Sequence, residues 1–261
     1  MDKVLVIIPA YNETKSIGGV VRDIRASLPG ADVLVVNDGS TDDTSGEARQ
    51  SGAMVLDLPC NMGLGVAVQS GLIFAQDRGY RFVARMDGDG QHRPTELRAL
   101  LAPLEKGEAD MVVGSRFLKA VSAPSLRSRA GSGGPIKKQE GLTASAGLNE
   151  YKPSLARRIG IGLFSGLLSI LLGTRVTDPN SGLHAMNHKS ISFFAKEYPP
   201  DYPEVEVRVM AHKAGLVVRE IPSTMLHRTG GVSSITSLNS AYIVLEMLTS
   251  TIVGMFRRVE R

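Results

Sequence analysis

Two carboxylates one residue apart follow an apolar run in Met86-Asp87-Gly88-Asp89-Gly90-Gln91-His92. On a loop leaving the carboxyl end of a strand, such a pair can hold a divalent ion against a diphosphate. Hard oxygen ligands select Mg²⁺ or Mn²⁺. A solvated turn is the plain alternative, and Gly88 and Gly90 suit it equally. A second group, Ile8-Pro9-Ala10-Tyr11-Asn12-Glu13, also follows an apolar run. Tyr11 can stack on a base and Glu13 can accept from a base or ribose donor, or the stretch is an ordinary strand-to-helix turn with Asn12 as cap. The third group is Val36-Asn37-Asp38-Gly39-Ser40-Thr41-Asp42-Asp43-Thr44. Asp38 can accept a ring N–H, while Ser40, Thr41, Asp42 and Asp43 read as turn and capping residues.

Positioning these groups requires strands that end beside one another. Apolar runs at Val4–Pro9, Asp32–Val36, Ala53–Asp57, Arg81–Met86 and Asp110–Val113 read as strands. Between them, Thr14–Leu28, Thr44–Ser51 and Leu64–Asp77 read as helices, as does a stretch with Pro94 in its first turn, where a missing N–H costs nothing. Near-continuous apolar strands alternating with helices predict a mostly parallel central sheet flanked by helices, a Rossmann-like α/β fold. In such sheets ligands bind at the carboxyl ends of the strands, where all three groups fall. Residues 118–154 break the pattern. They are rich in Gly, Ser, Ala, Pro and Lys and read as a mobile basic loop, and a loop longer than about 15 residues is usually functional or disordered. Beyond it, Ile159–Leu172, Glu204–Ala214 and Leu238–Phe256 read as helices and Leu216–Ile221 as a strand. The expected organisation is one domain over 1–261, with a nucleotide-binding half at 1–116 and an acceptor-side half at 155–261.

Composition narrows the function. With 43% hydrophobic and 21% charged residues in 261, the chain suits one α/β domain with a sizeable core. Its single cysteine, Cys60, excludes an intramolecular disulfide and fits a reducing cytoplasm. The opening strand is too short for a signal-peptide core. No uncharged apolar run reaches the roughly 18–20 residues of a spanning helix. Net charge is +4, but Phe117–Arg158 alone carries eight cations against Glu140 and Glu150. Such a patch fits an anionic lipid surface or a phosphorylated ligand. It lacks interleaved aromatics and the chain has no Trp, so nucleic acid is not an expected partner. Arg157 and Arg158 flank one apolar helix, and Arg257, Arg258 and Arg261 the other. The helices read either as lying on an anionic membrane or as ordinary buried helices.

The three groups, taken in order, resemble the family 2 inverting glycosyltransferases, which have the nucleotide-diphosphosugar transferase fold labelled GT-A. Further matches are Asn61-Met62-Gly63-Leu64-Gly65 with Ala67 and Gly71, Gly114-Ser115-Arg116, Thr177-Asp178-Pro179-Asn180-Ser181-Gly182, Glu220-Ile221-Pro222, and Arg228-Thr229-Gly230-Gly231-Val232-Ser233-Ser234. Within the family the chain is most similar to the polyprenyl-phosphate branch, which includes dolichyl-phosphate mannose synthases. The resemblance implies transfer of a hexose-type sugar from a nucleotide-diphosphate sugar to a polyprenyl-phosphate or other lipid-linked acceptor. It also implies a peripheral enzyme on the cytoplasmic face of the cell membrane.

By the same resemblance Pro9, Tyr11, Glu13, Val36 and Asp38 line the nucleoside pocket. Asp87, Asp89 and Gln91 hold Mg²⁺ or Mn²⁺ on the diphosphate, with Gly88 beside it. Arg116, Arg228 and one of Arg157 and Arg158 contact phosphates, and Asp178 sits beneath the acceptor loop. A phosphate acceptor needs no general base; a sugar hydroxyl needs one, and Asp178, Glu204 and Glu206 are the available carboxylates. Ser234 stands where the lipid-phosphate mannose synthases carry a Lys, which keeps transfer to a saccharide hydroxyl open as an alternative. A sugar-phosphate nucleotidyltransferase would need a Gly-rich basic loop after the first strand, which Pro9–Glu13 is not. A catalytically dead nucleotide-sugar-binding protein would not need Asp87, Asp89 and Arg228 together.

Overall fold

The computed structural model describes residues 3–118, 155–200 and 203–226. The strands are β1 (Val4–Ala10), β2 (Asp32–Asn37), β3 (Met54–Asp57), β4 (Phe82–Arg85), β5 (Met111–Ser115), β6 (His184–Asn187) and β7 (Val218–Pro222). The helices are α1 (Ile17–Ser27), α2 (Thr44–Gln50), α3 (Leu64–Asp77), α4 (Leu97–Glu105), α5 (Leu155–Leu172), α6 (His188–Lys196) and α7 (Pro203–Lys213). They build one seven-stranded sheet in the order β3-β2-β1-β4-β6-β5-β7. Every pairing is parallel except those of β6, which runs antiparallel to both β4 and β5. The expected α/β class with a mostly parallel sheet is what the chain adopts.

Alternation along the strands sorts the core into two layers. Leu5, Ile7, Leu34 and Val36 face α3, α6 and α7, packing on Leu72, Phe194 and Met210. Val6, Ile8, Val33 and Val35 face α1 and α4, packing on Ile17, Val21, Ile24 and Leu101. A third cluster joins Phe164, Leu168 and Leu172 of α5 to Val205 and Val209 of α7.

Two elements were not expected from the sequence, β6 and α6. The strand has four residues, too few for a period to emerge, and α6 begins directly after it, capped by Asn187, whose side chain accepts from Lys189 N and Ser190 N. The expected final helix at Leu238–Phe256 and the loop 119–154 lie outside the described residues. Asn12 does not cap α1. With φ 56° it is the one non-glycine residue at positive φ among the described residues, a conformation Asn tolerates better than most. Its side chain accepts from Thr41 N at 2.8 Å, and its own N–H donates to Ser40 Oγ at 2.9 Å. It therefore ties the β1 and β2 loops together.

Candidate active site

Because β1, β2 and β4 are parallel and in register, with Ala10 opposite Asn37 and Ile7 opposite Arg85, their following loops leave one edge of the sheet. The carboxyl ends of β5 and β7 lie at the same edge, with Ser115 opposite Pro222. The reversed β6 brings its amino end there as well. That reversal carries Thr177–Gly182 into the site, although the segment precedes its strand.

On the β1–β2 side lies a cleft of about 200 Å³ lined by Pro9, Ala10, Tyr11, Asp38, Asn61, Gly63, Leu64 and Ala67. Tyr11 is 45% exposed, leaving its ring face available for stacking. Asp38 is buried, and its two carboxylate oxygens accept from Met62 N at 2.7 Å and Gly63 N at 2.9 Å. A carboxylate has about four acceptor sites, so two remain. Gly39 makes this approach possible, because at φ 66° any Cβ would collide with the Cys60 and Asn61 backbone. Val36 does not line the cleft as expected. It is fully buried, since on β2 it points into the layer under α3. Glu13 is at the entry to α1, accepting from Ser16 Oγ at 2.7 Å, and is not part of the lining.

Across β4 lies the paired-carboxylate loop. Asp89 and Gln91 are buried, and Gln91 N donates to Asp89 Oδ1 at 3.0 Å. The loop is stitched to the strand end beyond β7: Leu226 N donates to Gln91 O at 2.8 Å and Gln91 Nε2 to Leu226 O at 3.1 Å. Arg228, two residues further on, lies outside the described residues. Asp87 keeps a third of its side chain exposed. Its Oδ1 is 3.2 Å from Arg85 Nη2, and its Oδ2 is 3.6 Å from His92 Nε2. Burial alone would push the Asp87 carboxyl up, but Arg85 and the His92 ring beside it hold it well below the usual carboxylate range. Gly182 closes the remaining side, where any Cβ would stand 2.7 Å from Asp87 Oδ2.

The third part is a buried charge network. Asp178 is fully buried and forked by Arg116, whose Nε donates to Oδ2 and Nη2 to Oδ1, both at 2.7 Å. Arg208 donates to the Asp178 carbonyl at 2.6 Å and pairs with Glu220 at 2.8 Å. Glu220 in turn accepts from Thr177 N and Thr177 Oγ1. Burial lowers the Arg208 pKa against the pull of Glu220. Asp178 is thus buried with its carboxylate committed to Arg116.

The sequence model of glycosyl transferase family 2 matches residues 5–148. An undecaprenyl-phosphate mannosyltransferase of Micrococcus luteus is 30% identical over 240 residues, covering 88% of this chain and 86% of that protein. The chain belongs to glycosyl transferase family 2. A polyprenol monophosphomannose synthase of Mycolicibacterium smegmatis is 28% identical over 246 residues, 91% of this chain and 83% of that relative. Among solved structures, glucosyl-3-phosphoglycerate synthase of Mycobacterium tuberculosis, in complex with Mn²⁺, UDP and glucosyl-3-phosphoglycerate, superposes with a TM-score of 0.65 at 18% identity. That likeness covers 98% of this chain and 81% of that one and shows a shared fold.

Not all expected residues of this family 2 transferase gather at the strand edge. Tyr11, Asp38, Asp87, Gly88, Asp89, Gln91, Arg116 and Asp178 do, on neighbouring loops. Glu206 is half-buried near the start of α7. Glu204 is not a free carboxylate, because its Oε1 accepts from Arg85 Nη2 at 3.1 Å. Arg157 and Arg158 fall in the first turns of α5, and their side chains lie outside the described set. Arg85, His92, Arg208 and Glu220 were not among the residues expected at the site. A charged residue inside the apolar run Phe82-Val83-Ala84-Arg85-Met86 was the available signal for the first.

Proposed function

We propose that this glycosyltransferase moves a hexose-type sugar from a nucleotide-diphosphate sugar to a polyprenyl-phosphate acceptor, with Mg²⁺ or Mn²⁺ at Asp87, Asp89 and Gln91. The supporting observation is the commitment of Asp178 to Arg116, together with that of Glu204 to Arg85. Both carboxylates that could have served a hydroxyl acceptor are engaged by arginines. A phosphate acceptor is already ionised near neutral pH and requires none. Residues 1–116 form the donor half in this reading, 118–154 the loop over the site, and 155–261 the acceptor half.

The donor set fits a hard divalent ion. Two carboxylates and an amide oxygen stand on one pinned loop, and His92 is buried beside them, its Nε2 3.6 Å from Asp87 Oδ2. Among the described residues no three His, Cys, Asp or Glu side chains gather to hold an ion alone, so the diphosphate would complete the shell, as Mg²⁺ sites commonly require. When bound, the metal supplies neutralisation of the charge that grows on the leaving nucleoside diphosphate. Asp38 and Tyr11 hold the nucleoside. Arg228 contributes a guanidinium matched to phosphate. The acceptor phosphate oxygen forms its bond to the anomeric carbon from the face opposite the leaving group. The breaking bond's electron pair departs with the diphosphate, and the centre inverts.

The names of the polyprenyl-phosphate relatives support the acceptor class, as does α5. No described helix is long and apolar enough to cross a membrane. Yet Leu163 and Ile170 on α5 are 73% and 80% exposed, an apolar stripe suited to lying on an anionic bilayer at the cytoplasmic face. Ser234 favours a second reading, transfer to a saccharide hydroxyl, with Glu206 as the base. Incubation of the full chain with Mn²⁺, UDP- or GDP-hexoses and either a polyprenyl phosphate or an oligosaccharide, read by mass spectrometry, tests both. Glycosylated polyprenyl phosphate is the expected product. Labelling of the oligosaccharide alone, or equal turnover in chelator, would overturn the proposal.

A further inference from the structure

Arg85 is the largest of the fully buried side chains among the described residues. Strand alternation places it on the same face as Val83, under the layer formed with α3, α6 and α7, where an apolar residue would be expected. A buried guanidinium is costly unless paired. Here a single nitrogen does the pairing: Nη2 reaches Asp87 Oδ1 at 3.2 Å and Glu204 Oε1 at 3.1 Å. Nε and Nη1 donate to no carboxylate among the described residues, and the buried Tyr198 hydroxyl lies beside the guanidinium. Arg–carboxylate pairs frequently form two parallel N–H···O bonds to one carboxylate. This guanidinium is used as a bridge between the carboxylate loop after β4 and the start of α7.

The rest of the Asp87 environment gives the bridge a consequence. Oδ1 is held from below by Arg85, and His92 and Gly182 stand against Oδ2. The carboxylate therefore has one orientation. We infer that Arg85 is a positioning residue, which orients Asp87 toward the metal and diphosphate and is itself fixed by Glu204. The donor-side loop and the acceptor-side helix then share one guanidinium nitrogen. The inference rests on the metal assignment made above.

Four full-length proteins test it: wild type, Arg85→Met, Arg85→Lys and Glu204→Gln. UDP and GDP binding is measured by calorimetry with and without Mn²⁺, alongside Mn²⁺ binding by electron paramagnetic resonance. Circular dichroism monitors folding. Arg85→Met should weaken Mn²⁺-dependent nucleotide binding by about 10–100-fold, the usual loss when a group orienting a metal ligand is removed. Metal-free binding should stay within about twofold, because the nucleoside cleft is built from other loops. Arg85→Lys should recover part of the loss, since it keeps a cation beside both carboxylates but not the guanidinium geometry. Glu204→Gln should show a smaller loss that does not add to that of Arg85→Met, as expected if it acts through Arg85. Should Arg85→Met fail to fold, Glu204→Gln decides. Wild-type Mn²⁺ dependence in a folded Glu204→Gln or Arg85→Met protein overturns the positioning role. Wild-type protein that binds nucleotide equally with and without Mn²⁺ overturns the metal assignment, and the inference with it.

Discussion

The two sides of the strand edge fix their carboxylates by different means. Beside β1 and β2, Asp38 is held by backbone N–H groups of Met62 and Gly63, and Asp42 by those of Thr14 and Thr44. At the carboxyl ends of β4, β5 and β7 four carboxylates meet arginines instead: Asp87 and Glu204 with Arg85, Asp178 with Arg116, Glu220 with Arg208. Backbone donors orient a carboxylate without cancelling its charge, which suits recognition of a neutral base by its N–H. Arginines neutralise the protein's own carboxylates where the proposed diphosphate and acceptor phosphate would approach. Without that neutralisation, four carboxylates would repel the proposed ligands at close range.

The comparison is broken most severely by removing a charge proposed to meet the metal and diphosphate. Replacing Asp89 by Ala should reduce transfer by at least about 10²–10³-fold, the scale for loss of a preorganised charge-stabilising element. Circular dichroism should remain native. Near wild-type turnover in Mn²⁺ would remove Asp89 from the site.

Within the arginine-matched side, Asp178→Ala removes the buried carboxylate that Arg116 forks and should cost about 3–5 kcal/mol of stability, as for breaking a buried ion pair. Urea denaturation measures this. A loss of activity with unchanged stability would instead make Asp178 a catalytic base.

On the backbone-anchored side, Asp38→Ala should weaken donor binding by about 1–3 kcal/mol, because Met62 and Gly63 N–H and the base donor all lose their acceptor. Calorimetry with UDP and GDP reads the change, and unchanged affinity assigns Asp38 to the loop alone. The mildest change is Asn12→Gly, which keeps the positive φ but deletes the acceptor for Thr41. It should cost about 0.5–1.5 kcal/mol in thermal unfolding and leave the arginine side untouched. An effect on Mn²⁺ binding would show that the two sides are coupled.

The sequence by itself determined the layers and the chemistry at loop level. Apolar strands alternating with helices specify a covered, mostly parallel sheet, because β-branched runs with no polar face must be buried on both sides. Asp87, Asp89 and Asp38 were legible because each follows a strand directly, and parallel strands deliver their following loops to one edge. Tertiary structure alone decided the course of β6. Four residues carry too little pattern to reveal a reversal, and only that reversal brings Asp178 and Gly182 to the edge from their place before the strand. Tertiary structure likewise decided which carboxylates are free. Glu204 and Asp178 read as candidate bases on residue type. Their commitment to Arg85, 119 residues away in sequence, and Arg116, 62 residues away, is a matter of distance in space. Val36 shows the same limit: two places before Asp38, it shares a strand face with Leu34 and points into the core, because alternate residues of a strand face the same way.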